Sequence, residues 1–476
     1  MTIAAPVQSF EQRLDQSALT RPMWLLWGLS AGLIALDGFD FFIIGVALPF
    51  LQRDFGLGAG GTGAIAVAAI AGSLVGSLTL GPLTDRLGRQ RMLIVDVAIF
   101  VLATAGTALA WNPASLIGFR FLVGLGIGAD YPISVAYITE NVPARLRGRM
   151  VVGAFSFQAV GALLGALTGL STIAFFDHFY PGNPQLAIQY GWRVMLGVGL
   201  LLAMGVAGLR LSFLLESPRY YLAKGDYKAA STAASTLLAS PITLTPATDP
   251  PEREPQLAYG ALFTAAYRRR TLLASLPWFL QDIATYGIGI FTPTIIGALA
   301  FAGQDSFLLQ AMAAAKGAAF VDLFLISGFV LAVWLIDRVG RIRLQMTGFV
   351  GMAAGLSLLA LSDLVEPASQ LKLGLVFAGF VVFNLLMNLG PNATTFLLSG
   401  EVFPTSIRAS GAGFAAAFAK AGAVVGTYGL PVLQQAWGVP PLLFLLAGIC
   451  LLAALVTYLA QVETTGRSLE AVDAAS

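Results

Sequence analysis

Eight charged residues stand within long apolar stretches of this chain: Asp37, Asp40, Asp96, Arg120, Asp130, Asp282, Asp322 and Lys420. An ionised side chain at mid-bilayer costs at least about 2.5–3.5 kcal/mol on insertion scales, so each one calls for a partner or a task. Carboxylates removed from water are readily neutralised by a proton, which suits them to proton relay across a membrane. Lys420 supplies the positive charge that an anion needs in a low dielectric. Trp278, Asp282 and Tyr286 recur every four residues and so share one helix face. Indole N–H and phenol O–H groups are donors suited to an oxyanion. An ionised Asp282 beside a bound anion is repulsive, so the two are expected to sit together only when a proton neutralises one of them. A salt bridge between Asp282 and Lys420 could stabilise the empty site.

Other chemistries find little support. There is no Gly-x-x-x-x-Gly-Lys-Ser/Thr loop, so nucleotide hydrolysis is not the expected energy source. Cys450 is the only cysteine and His178 the only histidine, which excludes an internal disulfide and a Cys/His metal cluster. No nucleophile and base stand out as a pair, so the chain does not read as an enzyme, and no metal or cofactor is expected. The net charge of +2 gives no reason to expect a nucleic-acid partner.

The elements that must hold these charges are membrane helices. Apolar residues make up 57% of the chain and charged ones 11%, and mean hydropathy is +0.80, values incompatible with a water-soluble globule. A bilayer core of about 30 Å takes roughly 20 apolar residues per helix. About six spans are predicted in each half, near 24–51, 62–83, 92–111, 115–140, 150–174 and 192–215, then near 271–299, 317–336, 344–363, 371–399, 409–433 and 438–461. The fold class is therefore an all-α membrane protein of about twelve transmembrane helices.

Two motifs show that the halves are equivalent. Asp85-Arg86-Leu87-Gly88-Arg89 recurs as Asp337-Arg338-Val339-Gly340-Arg341, and Glu140, Pro143 and Arg147 recur with the same internal spacing as Glu401, Pro404 and Arg408. Repeated halves of this kind build a central site that opens alternately to the two sides. Carboxylates and guanidiniums at these positions could latch one conformation through charge-assisted bonds; alternatively, the arginines only fix topology. All these arginines follow even-numbered spans, so those exits are cytoplasmic by the positive-inside rule and both termini lie inside.

The chain then divides into a cytoplasmic N-terminal tail over 1–22, a six-helix half over 23–215, a cytoplasmic linker over 216–270, a second six-helix half over 271–461 and a cytoplasmic C-terminal tail over 462–476. The linker is polar and broken by prolines, with a stretch near Ala223 to Ser240 that could lie as a helix on the membrane surface. A plasma membrane, the inner membrane in a bacterium, is the expected location. No particular oligomer is required.

With the paired loops, Glu216-Ser217-Pro218-Arg219 and Glu463-Thr464-Thr465-Gly466-Arg467, the chain from about Gly32 to Glu470 resembles the major facilitator superfamily. The segments Gly128-Ala129-Asp130-Tyr131-Pro132, Trp278-Phe279-Leu280-Gln281-Asp282 with Tyr286, and Gly390-Pro391-Asn392-Ala393-Thr394, together with Lys420 and the Asp37-Gly38-Phe39-Asp40 run, are similar to the proton:inorganic phosphate symporter family. The resemblance implies the pseudo-symmetric fold of that superfamily and transport of inorganic phosphate with protons. It implies that phosphate sits between Tyr131 and Gln158 of the first half and Trp278, Asp282, Tyr286, Asn392 and Lys420 of the second. Asp37, Asp40 and Asp130 are then proton-relay candidates beside Asp282. Arg120 would pair one carboxylate, or Arg120 and Asp130 would neutralise each other to hold helices together.

Asp96 stands where that family has glutamate and could simply face water. Asp322 is expected at a solvated helix end or in a pair. Asn384 and Asn388, in register with Asn392, could bond neighbouring helices. A proton-coupled carrier of a small organic anion or sugar is the alternative reading, and a non-transporting nutrient sensor is the alternative from another class.

Overall fold

The computed structural model describes residues 9–87, 89–213, 215–246, 259–300, 306–366, 369–403 and 407–464. The side chains of Asp85, Arg86, Arg89, Asp130, Tyr131, Glu140, Arg147 and Arg408 lie outside the described residues. The first half holds α1 (Phe10–Gln16), α2 (Arg21–Phe55), α3 (Ala59–Leu87), α4 (Arg89–Ala108), α5 (Pro113–Asn141), α6 (Ala144–Phe155), α7 (Phe157–Phe179) and α8 (Pro184–Ser212). Two short helices follow, α9 (Pro218–Ala223) and α10 (Tyr227–Leu238). The second half holds α11 (Arg268–Ala300), α12 (Phe307–Val339), α13 (Arg341–Leu361), α14 (Gln370–Leu389), α15 (Pro391–Glu401), α16 (Arg408–Trp437) and α17 (Val439–Ala460). Ten stretches among the described residues are long and apolar enough to cross a membrane, and two shorter apolar helices lie within α4 and α5.

One span in each half is broken. Arg149–Phe179 is one crossing made of α6 and α7, interrupted at Ser156, and Gln370–Glu401 is one crossing made of α14 and α15, interrupted at Gly390. Pro391 explains the second break, since its ring cannot continue a helix but is well placed to begin one. Gly390 fits there because a Cβ would stand 2.4 Å from the Leu344 carbonyl oxygen of α13.

Within each half, helices meet backbone to backbone. A Cβ on Gly161 of α7 would lie 1.9 Å from the Ala35 carbonyl oxygen of α2, and one on Gly422 of α16 would lie 2.2 Å from the Phe279 carbonyl oxygen of α11. Small residues at such crossings allow the close approach that association in lipid depends on. Between the halves α2 also approaches α11 closely, where a Cβ on Gly45 would lie 1.9 Å from the Ile290 carbonyl oxygen, and aromatic contacts stand toward both ends. Phe155 meets Phe396 with ring centroids 4.1 Å apart at the arginine-rich end. At the opposite end Phe50 meets Phe307 at 5.0 Å, and Arg53 stacks on Phe307 at 3.8 Å. The halves therefore touch on both sides of the molecule's centre.

Four expectations need correction. The N-terminal segment is not merely a tail: Ser9 caps α1 in a capping box, and Phe10 and Leu14 are buried against Ala230, Ala234 and Leu237 of α10. The apolar face of α10 is likewise covered by protein and not left free for a membrane surface. Asp322 is not at a helix end, since α12 begins ten residues before the predicted span and leaves it buried in mid-helix. Asp96 does not face water: it is 1% exposed and packs against α5, where a Cβ on Gly126 would stand 3.0 Å from its Oδ1.

Candidate functional site

The central cavity forms where α7 of the first half faces α11, α12, the α14–α15 break and α16 of the second. Six of the seven expected cargo residues line it: Gln158, Trp278, Asp282, Tyr286, Asn392 and Lys420. The seventh, Tyr131, has its side chain outside the described residues. The empty space there, including solvent open to the outside, is about 490 Å³.

Tyr286 is the hub. Lys420 Nζ donates to its hydroxyl at 2.7 Å and lies 4.5 Å from its ring centroid, and Gln158 Nε2 donates to the same hydroxyl at 3.5 Å. Phe41 braces the ring edge-on at 5.8 Å. Asp282 is 3% exposed on the same face of α11, one turn away, and Lys420 is within electrostatic reach of both Asp282 and Asp37. One cation thus stands among two carboxylates and several neutral donors. An arriving anion meets an ammonium group already balanced by negative charge, so binding must shift a proton or a side chain.

Asn392 is held from two sides. Gln281 Nε2 donates to its Oδ1 at 3.0 Å, and its Nδ2 donates to Asn388 Oδ1 at 2.8 Å. Gln281 in turn accepts from the Thr395 hydroxyl at 3.0 Å and is fully buried. Of the two other asparagines of this stripe, Asn384 donates to the Phe380 carbonyl on its own helix, while Asn388 donates to the Asn384 carbonyl and accepts from Asn392 across the break, so only Asn388 bonds a neighbouring helix. Gln281 was not expected at the site; its only sequence signal is a polar residue beside Asp282, and its target becomes visible only once the α14–α15 break brings Asn392 across. Gln281→Leu is expected to leave Asn392 half-satisfied and to raise the half-saturating cargo concentration by about 5–30-fold, from a loss of about 1–2 kcal/mol. Initial-rate uptake against cargo concentration checks it, with Gln281→Glu as a shape-conserving comparison.

Sequence reasoning also did not reach the apolar part of the lining: Phe42, Ala159, Ala162, Leu325, Phe329 and Met387. Nothing in their types distinguishes them from lipid-facing residues.

Of the proton-relay candidates, Arg120 and Asp40 form a buried pair. Arg120 Nη1 lies 2.9 Å from Asp40 Oδ2, and Nη2 donates to the Asp40 carbonyl oxygen at 3.1 Å. Asp37, one turn earlier on α2, is 3% exposed and within electrostatic reach of Lys420. Gly38 lets α2 come this close, because a Cβ there would lie 2.1 Å from the Gln158 carbonyl oxygen.

Of the latch residues, Arg341 bonds both carboxylate oxygens of Glu401, at 3.3 and 3.4 Å, and reaches Asp337 at 3.1 Å. Glu463 accepts from the backbone N–H groups of Arg341 and Ile342 at 3.2 Å each, which caps the start of α13. Asp337 also faces Arg149 of the first half at 3.8 Å, an exposed contact worth little on its own. Arg338 is not part of this cluster in the contacts described; it stacks over Trp334 at 4.4 Å.

Residues 29–475 match the family model described as sugar (and other) transporter. A probable inorganic phosphate transporter 1-6 of Arabidopsis thaliana is 30% identical, over 91% of this chain and 90% of that protein. The putative metabolite transport protein YaaU of Escherichia coli is 29% identical, over 98% of this chain and 96% of that protein. Among solved structures, a partially occluded inward-open conformation of the xylose transporter XylE from E. coli superposes with a TM-score of 0.76 at 20% identity, covering 94% of this chain and all of that one.

Proposed function

The chain belongs to the sugar (and other) transporter family, a multi-pass membrane protein of the major facilitator superfamily, and from that premise we propose that it carries inorganic phosphate together with protons by alternating access. The observation that carries this reading is Lys420 and Asp282 on one cavity with the hydroxyl of Tyr286, the indole of Trp278 and the amides of Gln158 and Asn392. A neutral sugar has no use for a buried ammonium group, whereas phosphate uses it together with every neutral donor. The proton requirement follows from Asp282: phosphate and an ionised carboxylate repel in a low dielectric, and a shared proton removes the repulsion. Release of that proton on the far side restores it and expels the cargo. The arginine-rich end is then cytoplasmic, with both termini there, in a plasma membrane. The phosphate transporters among the relatives support this choice of cargo.

A specific observation favours a second cargo. The apolar wall of Phe42, Leu325, Phe329 and Met387 offers surface that phosphate does not need and that a small organic anion would use. One experiment separates them. Purified protein in liposomes is given labelled phosphate with and without an inward proton gradient. Gradient-driven phosphate accumulation is the expected result; folded protein that ignores phosphate but accumulates an organic acid would replace the cargo assignment.

A further inference from the structure

Asp322 plays no part in the site described above, and its position is unusual. It lies near the middle of α12 and is 9% exposed. Among the described residues it makes no hydrogen bond and no ion pair. Its place on α12 follows from helical spacing. Ala318 and Ala319, four and three residues before it, pack on Ala166 of α7 with Leu163 beside them. Leu325 and Phe329, three and seven residues after it, line the central cavity together with Ala159 and Ala162 of the same α7. Residues at these spacings share one helix face. Asp322 therefore sits in the seam between the halves, between the alanine contact and the cavity, on the side away from the arginine-rich loops.

Among the described residues no charge pairs with it there. On α7 the titratable groups are Asp177 and His178 in its last turn, with Asp177 eleven residues beyond Ala166. On α14 there is Lys372, bound to Asp363 at 3.3 Å at the helix start. On α11 there are Arg268–Arg270 at the start, Asp282 and Tyr286 at the cavity. On α2, Asp37 and Asp40 are engaged with Lys420 and Arg120 respectively, while in its last turn Arg53 stacks on Phe307, fifteen residues before Asp322, and Asp54 pairs with Arg193 at 3.4 Å. On α6 the charges are Arg145, Arg147 and Arg149, on α13 Arg341 and Arg343, and on α15 Glu401, all at the arginine-rich end. On α12 itself, Lys316 is exposed, and Asp337 and Arg338 lie at the far end.

We propose that Asp322 is a second proton-binding residue, one that makes closure of the α7–α12 seam depend on proton uptake from the side opposite the arginine-rich loops. This rests on the alternating-access reading above. Closing the seam over an ionised carboxylate removes a charge from water with nothing to compensate it, whereas closing it over the neutral acid does not. When the seam parts, water reaches Asp322 and the carboxylate can ionise. When it shuts, one proton moves from bulk water to a carboxylate oxygen and stays until water next reaches that oxygen. Asp282 would then govern whether cargo is held, and Asp322 whether the external side can close.

The test needs no cargo. Spin labels are placed on Phe179→Cys of α7 and Leu309→Cys of α12, both exposed near the same end, in a Cys450→Ala background, and the interlabel distance is measured in nanodiscs as the buffer is acidified. The unsubstituted Asp322 protein is expected to move from long to short distances. Asp322→Asn should lose at least half of that shift by staying short in alkaline buffer, while Asp322→Glu keeps it. An Asp322→Asn protein that titrates with full amplitude overturns the proposal, as does an Asp322 protein whose distances ignore pH. Failure of phosphate uptake in liposomes leaves this readout intact, so the cargo reading and the seam reading fall separately.

Discussion

Uptake of phosphate by Lys420→Ala protein is expected to fall at least about 100-fold below the native rate at low substrate concentration. Truncating one member of a desolvated charge arrangement typically costs 2–5 kcal/mol, and about 2.7 kcal/mol is already a factor of 100. Here the loss is twofold, because the cation leaves both the Tyr286 hydroxyl and the fields of Asp282 and Asp37. Lys420→Arg keeps the charge but not the fit to Tyr286, and should retain a measurable fraction of uptake. The companion substitution behaves differently. Under the proposed mechanism Asp282→Asn removes the repulsion between carboxylate and phosphate, so phosphate exchange between two loaded compartments should survive while accumulation driven by a proton gradient is lost. Equal loss of exchange and accumulation would show that Asp282 acts on cargo binding and not on coupling.

The second large effect is on stability. Arg120→Met should destabilise the protein by about 3–5 kcal/mol, because it strands the Asp40 carboxylate at 4% exposure in the first half. The double variant Arg120→Met with Asp40→Leu should recover most of that loss, since apolar side chains of similar volume replace a buried pair at little net cost. Thermal unfolding in detergent, followed by the fraction remaining monodisperse, reads both. If the single and double variants unfold alike, the pair does not hold α2 to α5.

Much of this could be read from the chain alone, and the reason is physical. Lipid forces each helix to satisfy its own backbone, so apolar length announces a span without reference to its neighbours. Buried charges are conspicuous against that background, which is why Lys420, Asp282 and Arg120 stand out in the sequence. What escaped is whatever depends on two helices at once. Gln281 matters because the break at Gly390 brings Asn392 opposite to it. Asp322 changed from a helix-end residue to a mid-helix one when α12 proved longer than its hydropathy suggested, with exposed Lys316 tolerated inside it. Phe42, Phe329 and Met387 face a cavity, but in composition they match residues that face lipid. Burial of α10 under α1 likewise depends on two segments separated by the whole first half.

The glycine crossings bear on how such a protein can change over evolutionary time. Gly161 against Ala35 and Gly422 against Phe279 fix the internal shape of each half at the level of the backbone, where nearly any substitution would be rejected. The apolar lining of the cavity is not among the atoms that meet at either crossing, so exchanges at Phe42, Phe329 or Met387 leave those backbone contacts in place. Selection can therefore retune what is carried while inheriting the machinery of carriage unchanged.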